Sequence, residues 1–210
     1  ALLEINSKTI RMVATDAHRL AMVEEAFSST TEVKAIVPKK TLTELRNLGN
    51  GEEMLFAQDK NHLFFKVGHR VLASRVIEGQ FPSYEKVIPP ENPLAVVFAK
   101  ETMAGAIRRV SLLASERSRA IKFTLNPGEA IVSSSNPELG EAKESVAIQY
   151  EGSELEVCFN AQYILDFLTA VAGEEVVLRL KDPASQGLLE PHKQSSETSK
   201  YKCVIMPMRM

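Results

Sequence analysis

The sequence predicts an α+β protein built from two related units, and three observations lead there. Short segments of β character, separated by polar turns, recur along most of the 210 residues. Only three stretches carry a helical apolar stripe. The chain also matches itself at an offset of about 120 residues, the size of one domain.

Residues 2–5, 9–13 and 20–23 alternate or cluster apolar side chains, with polar turns at Asn6, Ser7 and Lys8 and over residues 15–19. Residues 39–48 place Leu42, Leu45 and Leu48 on one helical face. Strands follow at residues 54–58, 62–67 and 70–76, divided by Asp59, Lys60 and Asn61 and by Gly68 and His69. A second helix is predicted over residues 100–114, with Met103, Ile107, Val110 and Ala114 inward, and a third over 161–171, with Ile164, Phe167, Leu168 and Val171 inward and Asn160 as N-cap. The end of the chain, residues 202–210, reads as an edge strand: Met206, Met208 and Met210 alternate with Pro207 and Arg209, and Pro207 cannot donate to a ladder.

The repeat is a pattern of elements. Residues 5–16 match residues 125–136 as strand, tight turn, strand, then a hydroxyl residue before Asp16 or Asn136. The helix after Pro38 matches the one after Asn160, with Leu42 facing Ile164 and Leu45 facing Phe167. The second copy, residues 93–210, is complete, and the first, residues 1–88, lacks an opening strand and helix. Residues 81–93, with four prolines, read as the linker.

Composition narrows the function. No apolar run approaches the roughly 18 residues of a membrane span, and no charged-then-apolar leader marks a secretory signal, so a cytoplasmic protein is expected. Cys158 and Cys203 sit in apolar strands without a C-x-x-C partner and read as buried thiols. A net charge of −2 gives no overall signal for nucleic acid, leaving only the distribution of charge to decide. Asp16 and His18 could form an acid–base dyad or two metal ligands of a hydrolase. No second acidic or histidine cluster, phosphate loop or nucleophile motif accompanies them, however, and no motif calls for a cofactor. Turn chemistry is the plainer reading of this segment. The Met-rich end suits either core filling or an adaptable surface for a partner peptide, because unbranched thioethers repack around different ligands. A peptide-binding β scaffold without a DNA role is therefore a further alternative.

The chain resembles the bacterial sliding clamp family, the beta subunit of DNA polymerase III, through residues 13–21 (VATDAHRLA), Phe81-Pro-Ser-Tyr84 with Val87-Ile-Pro89, Tyr163-Ile-Leu-Asp-Phe-Leu168 and Val204-Ile-Met-Pro-Met-Arg209. The resemblance implies DNA-clamp units, with sheets outside and two helices each facing a DNA channel, and a non-enzymatic processivity factor. It covers part of the family's second domain and all of its third. It implies a partner-peptide pocket at Thr15, His18, Arg19, Leu20, Pro82, Lys86, Val87, Val204, Ile205, Met206, Pro207, Met208, Arg209 and Met210. It likewise makes Lys39, Lys40, Arg46 and Arg108 neighbours of DNA phosphates, where residue pattern alone suggests only solvated helix faces. Leu112 falls opposite the core stripe of its helix, and the resemblance makes it and Leu113 a subunit contact. The partners implied are duplex DNA without sequence preference; DNA polymerases, the clamp loader and repair proteins through short linear motifs; and a second protomer in a ring. Ala17 stands where the family often has glycine, and Met210 where it often has leucine.

Overall fold

A computed structural model of the protein describes residues 1–49, 53–115, 118–193 and 199–209. The chain forms two units, Ala1–Thr15 with Met22–Tyr84, and Asp16–Ala21 with Glu85–Met210. The second therefore includes a short early segment that sequence reading assigns wholly to the first.

In the first unit, β1 (Leu2–Ile5), β2 (Thr9–Thr15), β3 (Arg19–Ala26) and β4 (Val33–Ile36) are ordered β4-β1-β2-β3, and α1 (Lys39–Leu48) leads to a sheet of β5 (Met54–Gln58), β6 (His62–Val67) and β7 (Arg70–Arg75). Leu3, Ile5, Ala35, Val37, Leu63 and Phe65 make its core, and Leu42 and Leu45 of α1 pack on it as the stripe predicts. Thr41 is buried beside them because its hydroxyl is bonded to that of Ser74 at 2.6 Å. The β6–β7 turn needs a left-handed residue, and Gly68 supplies it at φ 57°.

The second unit opens with β8 (Leu94–Ala99) and α2 (Lys100–Val110), then repeats the first: β9 (Ala120–Asn126), β10 (Glu129–Asn136), β11 (Gly140–Ala147), β12 (Leu155–Asn160), α3 (Ala161–Ala170), β13 (Glu175–Leu180), β14 (Gly187–Pro191) and β15 (Ser199–Ile205). Its four-stranded sheet runs β12-β9-β10-β11, the order of β4-β1-β2-β3, while β13, β14 and β15 neighbour one another as β5, β6 and β7 do. The repeat extends to hydrogen bonds. Asp16 Oδ1 accepts from the His18 and Arg19 amides at 3.1 and 3.0 Å, and Asn136 Oδ1 accepts from the Glu138 and Leu139 amides at 2.9 and 3.3 Å. In each unit the chain leaving the last strand donates to the fourth: Ile77 N–H to Ile36 at 3.1 Å, and Met208 N–H to Cys158 at 2.8 Å.

Three boundaries differ from the sequence reading. The second helix stops at Val110 and tightens into a 3-10 turn over Ser111–Leu113, where the Ser111 hydroxyl donates to the Arg108 carbonyl at 2.9 Å and competes with the helical ladder. The last strand ends at Ile205, so residues 206–209 are not the predicted edge strand. The proline-rich stretch is docked: Tyr84 is 2% exposed, with its hydroxyl donating to Glu4 and accepting from Arg11, both at 2.7 Å, and Asn92 donates to the carbonyls of Arg179 and Gln186 at 2.9 Å each. Both cysteines are free and buried.

Asn160 caps α3 as predicted, accepting from the Gln162 and Tyr163 amides at 2.9 and 3.4 Å while its amide group donates to the Ser118 carbonyl at 3.1 Å. Asn160→Ala removes all three bonds. It should cost about 1–2 kcal/mol in a denaturant titration, and an unchanged midpoint would show that the cap is dispensable.

Candidate functional site

The turn 16–21, helix α3 and the end of the chain meet in the second unit. Arg19 is the joint. Its Nε lies 3.1 Å from Asp16 Oδ2 and its Nη1 2.5 Å from Asp166 Oδ2, while its guanidinium carbon sits 4.3 Å from the centre of the Tyr163 ring. Gln162 holds the other oxygen of Asp166 at 2.7 Å. Partial burial alone would raise both carboxyls. The bonds from Arg19, with backbone amides at Asp16 and Gln162 at Asp166, outweigh it and hold both below the usual carboxylate range. What they contribute to stability is present above that range and is lost as pH falls through the lowered values. Arg19, which the resemblance makes a residue of the peptide pocket, is thus a fixed tie between turn and helix.

The end of the chain is held by its main chain. Met206 N–H donates to the His18 carbonyl at 2.9 Å and Met208 N–H to the Cys158 carbonyl. Pro207, which has no N–H, falls between the two donors. Beneath lie Leu20, Val204 and Ile205, each 1% exposed, which form a packed base. Met206 is 42% exposed, Pro207 and Met208 are half-buried, and His18, Lys86, Val87 and Arg209 are exposed. Thr15 and Pro82 are exposed and belong to the first unit. Met210 lies outside the described residues.

Tyr163 is the residue that sequence reasoning leaves out. It was legible as a ring directly before Ile164 at the edge of the α3 core stripe, but its pairing with Arg19 joins residues too distant in sequence for periodicity to reveal. Burial pushes the Cys203 thiol beneath this surface up to about 12, so it is a neutral packing group. Asp16, the acid of the hydrolase alternative, is spent as turn acceptor and ion-pair partner. Among the described residues no cluster of three His, Cys, Asp or Glu side chains could hold a metal.

The basic residues are placed unevenly. Lys39, Lys40 and Arg46 of α1 and Arg108 of α2 are exposed and have no ion-pair partner among the described residues. Arg109 is neutralised by Glu144, with bonds of 2.5 and 2.6 Å. The exposed face of α3 offers Gln162, Asp166 and Thr169 and no cation, so a positive stripe along all three helices is not present. Leu112, in the turn after α2, is 77% exposed, and Leu113 beside it is partly buried.

Two family models match the chain: the DNA polymerase III beta subunit central domain over residues 1–83 and its C-terminal domain over residues 85–209. A beta sliding clamp of Pseudomonas aeruginosa is 35% identical over 213 aligned positions, covering 100% of this chain and 57% of the relative. One of Caulobacter vibrioides is 36% identical over 205, covering 96% of this chain and 54% of the relative. The solved Pseudomonas aeruginosa clamp bound to griselimycin matches with a TM-score of 0.92 and 35% identity, over 100% of this chain and 57% of that one. The chain spans just over half the length of the curated relatives it matches.

Proposed function

Because the chain belongs to the DNA polymerase III beta subunit family, we propose that it acts as the central and C-terminal part of a DNA sliding clamp, a processivity factor that tethers polymerases and other replication or repair proteins to duplex DNA. The observation that carries this reading is the match of both units, in order, to two successive domains of one clamp subunit. Residues 1–88 supply part of the second clamp domain and residues 93–210 the third.

Partner proteins dock by a short linear motif, glutamine followed by leucine and a pair of large apolar residues. The anchors lie against Met206, Pro207 and Met208, flanked by His18, Lys86 and Val87 and underlain by Leu20, Val204 and Ile205. An apolar floor with adaptable thioethers supports this reading, since it accepts varied apolar anchors at modest affinity. Lys39, Lys40, Arg46 and Arg108 face phosphates without reading bases, and Leu112 with Leu113 makes the contact with a second protomer in a full-length ring. No residue of the chain performs catalysis.

The test separates linkage from affinity. A ring holds DNA by encircling it, whereas this chain alone relies on Lys39, Lys40, Arg46 and Arg108, the channel cations without an ion-pair partner among the described residues, against a net charge of −2. At about 0.15 M salt it should bind the motif peptide yet slip from circular duplex DNA, because so few phosphate contacts release few counterions. Absence of peptide binding, or salt-resistant retention on the circle, would overturn the assignment.

A further inference from the structure

We propose that a polar groove on the far side of the Met208–Arg209 segment is an accessory subsite, taking a carboxylate from the flank of the partner peptide; this rests on the peptide-site reading above. The groove encloses about 320 Å³ and is bordered by Lys122 of β9, Ser133 and Ser135 of β10, Glu141 of β11, Met208 and Arg209.

Strand alternation shows where its floor points. The Ser134 hydroxyl turns inward and donates to the Val110 carbonyl at 2.7 Å, so Ser133 and Ser135 project from the opposite face. Ser133 is nevertheless only 5% exposed, and its hydroxyl has no hydrogen-bond partner among the described residues. Among the described residues no sealed side-chain polar atom lacks a partner, so this hydroxyl opens onto the groove, the open space above Ser133. It is therefore a donor that a ligand entering the groove can engage.

The charges around it select the acceptor's sign. Lys122 is held beside the floor by Glu156 at 2.9 Å, and Glu141, the one acidic residue of the lining among the described residues, is engaged by Lys143 at 3.2 Å. Arg209 is exposed, with no ion-pair partner among the described residues. An acidic side chain meets Arg209 and two serine hydroxyls there, with Lys122 beside them on Glu156, whereas a basic one would have to compete with Lys143 for Glu141. The groove is also continuous with the peptide surface. Met208 borders it while donating its N–H to Cys158, and Cys158 stands opposite Lys122 in the β12–β9 ladder. A peptide seated on Met206 and Met208 has only to continue past Arg209.

The experiment compares three peptides by fluorescence anisotropy: the bare motif, the motif with glutamates added on either flank, and the same extension with glutamines. Each is titrated into the whole chain and into its Ser133→Ala and Ser133→Leu variants. The glutamate extension should tighten binding to the unmodified chain about tenfold, the contribution of a hydrogen bond to a charged group. Ser133→Ala should reduce that gain and Ser133→Leu, which fills the floor, should remove it, while bare-motif affinity stays constant. An extension that adds nothing, or a gain equal with glutamine or in both variants, overturns the subsite. Failure of the bare motif to bind sinks instead the peptide site on which it depends. Should Ser133→Leu fail to fold, Ser133→Ala still decides.

Discussion

Ending the chain at Ile205 is expected to abolish binding of the motif peptide while leaving the second unit folded. The cut removes the exposed and half-buried side chains of Met206, Pro207 and Met208 together with the two main-chain bonds that hold them in place. Losing even one buried anchor of an interface costs about 2 kcal/mol or more, so losing three should weaken binding by about a hundredfold or beyond. The core should survive. Val204 and Ile205, at 1% exposure, remain, and none of the described residues removed, 206–209, belongs to the cluster around Phe159 and Phe167. Circular dichroism of the shortened chain, set beside its peptide titration, separates loss of site from loss of fold. Undiminished affinity would place the anchors elsewhere.

Phe159→Ala is expected to carry the largest stability loss of any single substitution considered, about 3–5 kcal/mol. Phe159 is 1% exposed, packs edge-on to Phe123 with ring centres 6.3 Å apart, and closes the core between β12 and β14. Its far side is fitted to a missing side chain: a Cβ on Gly187 would lie 3.0 Å from Phe159 Cζ and 3.2 Å from Leu178 Cδ1. Gly187→Ala should therefore destabilise by overpacking. The two effects are coupled. In a Phe159→Leu background the added methyl enters vacated space, and Gly187→Ala should cost less there than in the parent chain. Denaturant midpoints of the four proteins check this, and strict additivity would show that the ring does not define the space over Gly187.

Much of this architecture was legible because short-range rules govern it. Leu42 and Leu45 announce the buried face of α1, Asn160 its counterpart's start, and Asp16 and Asn136 the same turn in both copies of the repeat. The resemblance in four separated motifs pointed to the family that the comparisons then showed. What escaped the sequence depends on contacts between distant positions. Nothing near Arg19 indicates that it will be shared by Asp16 and Asp166, and nothing near Tyr84 foretells its hydroxyl between Glu4 and Arg11. Alternation of Met and Pro imitates a strand at residues 206–209. There the two available amides find acceptors on different elements, His18 and Cys158, and no single ladder can form. The lack of cations on α3, by contrast, was readable directly from Gln162, Asp166 and Thr169.

The bonds from Met206 and Met208 divide the end of the chain into a rigid part and a compliant one. The main chain is immobilised before any partner arrives, so little of a partner's binding energy goes into ordering it, while the thioethers keep their three rotatable bonds and adjust afterwards. Such a surface discriminates by apolar volume more than by outline. It should therefore admit many partner sequences with similar strength and release each of them readily, and competition among them is then governed by their relative concentrations. Amide exchange at Met206 and Met208 reports on the rigid half alone and can follow it without any ligand present.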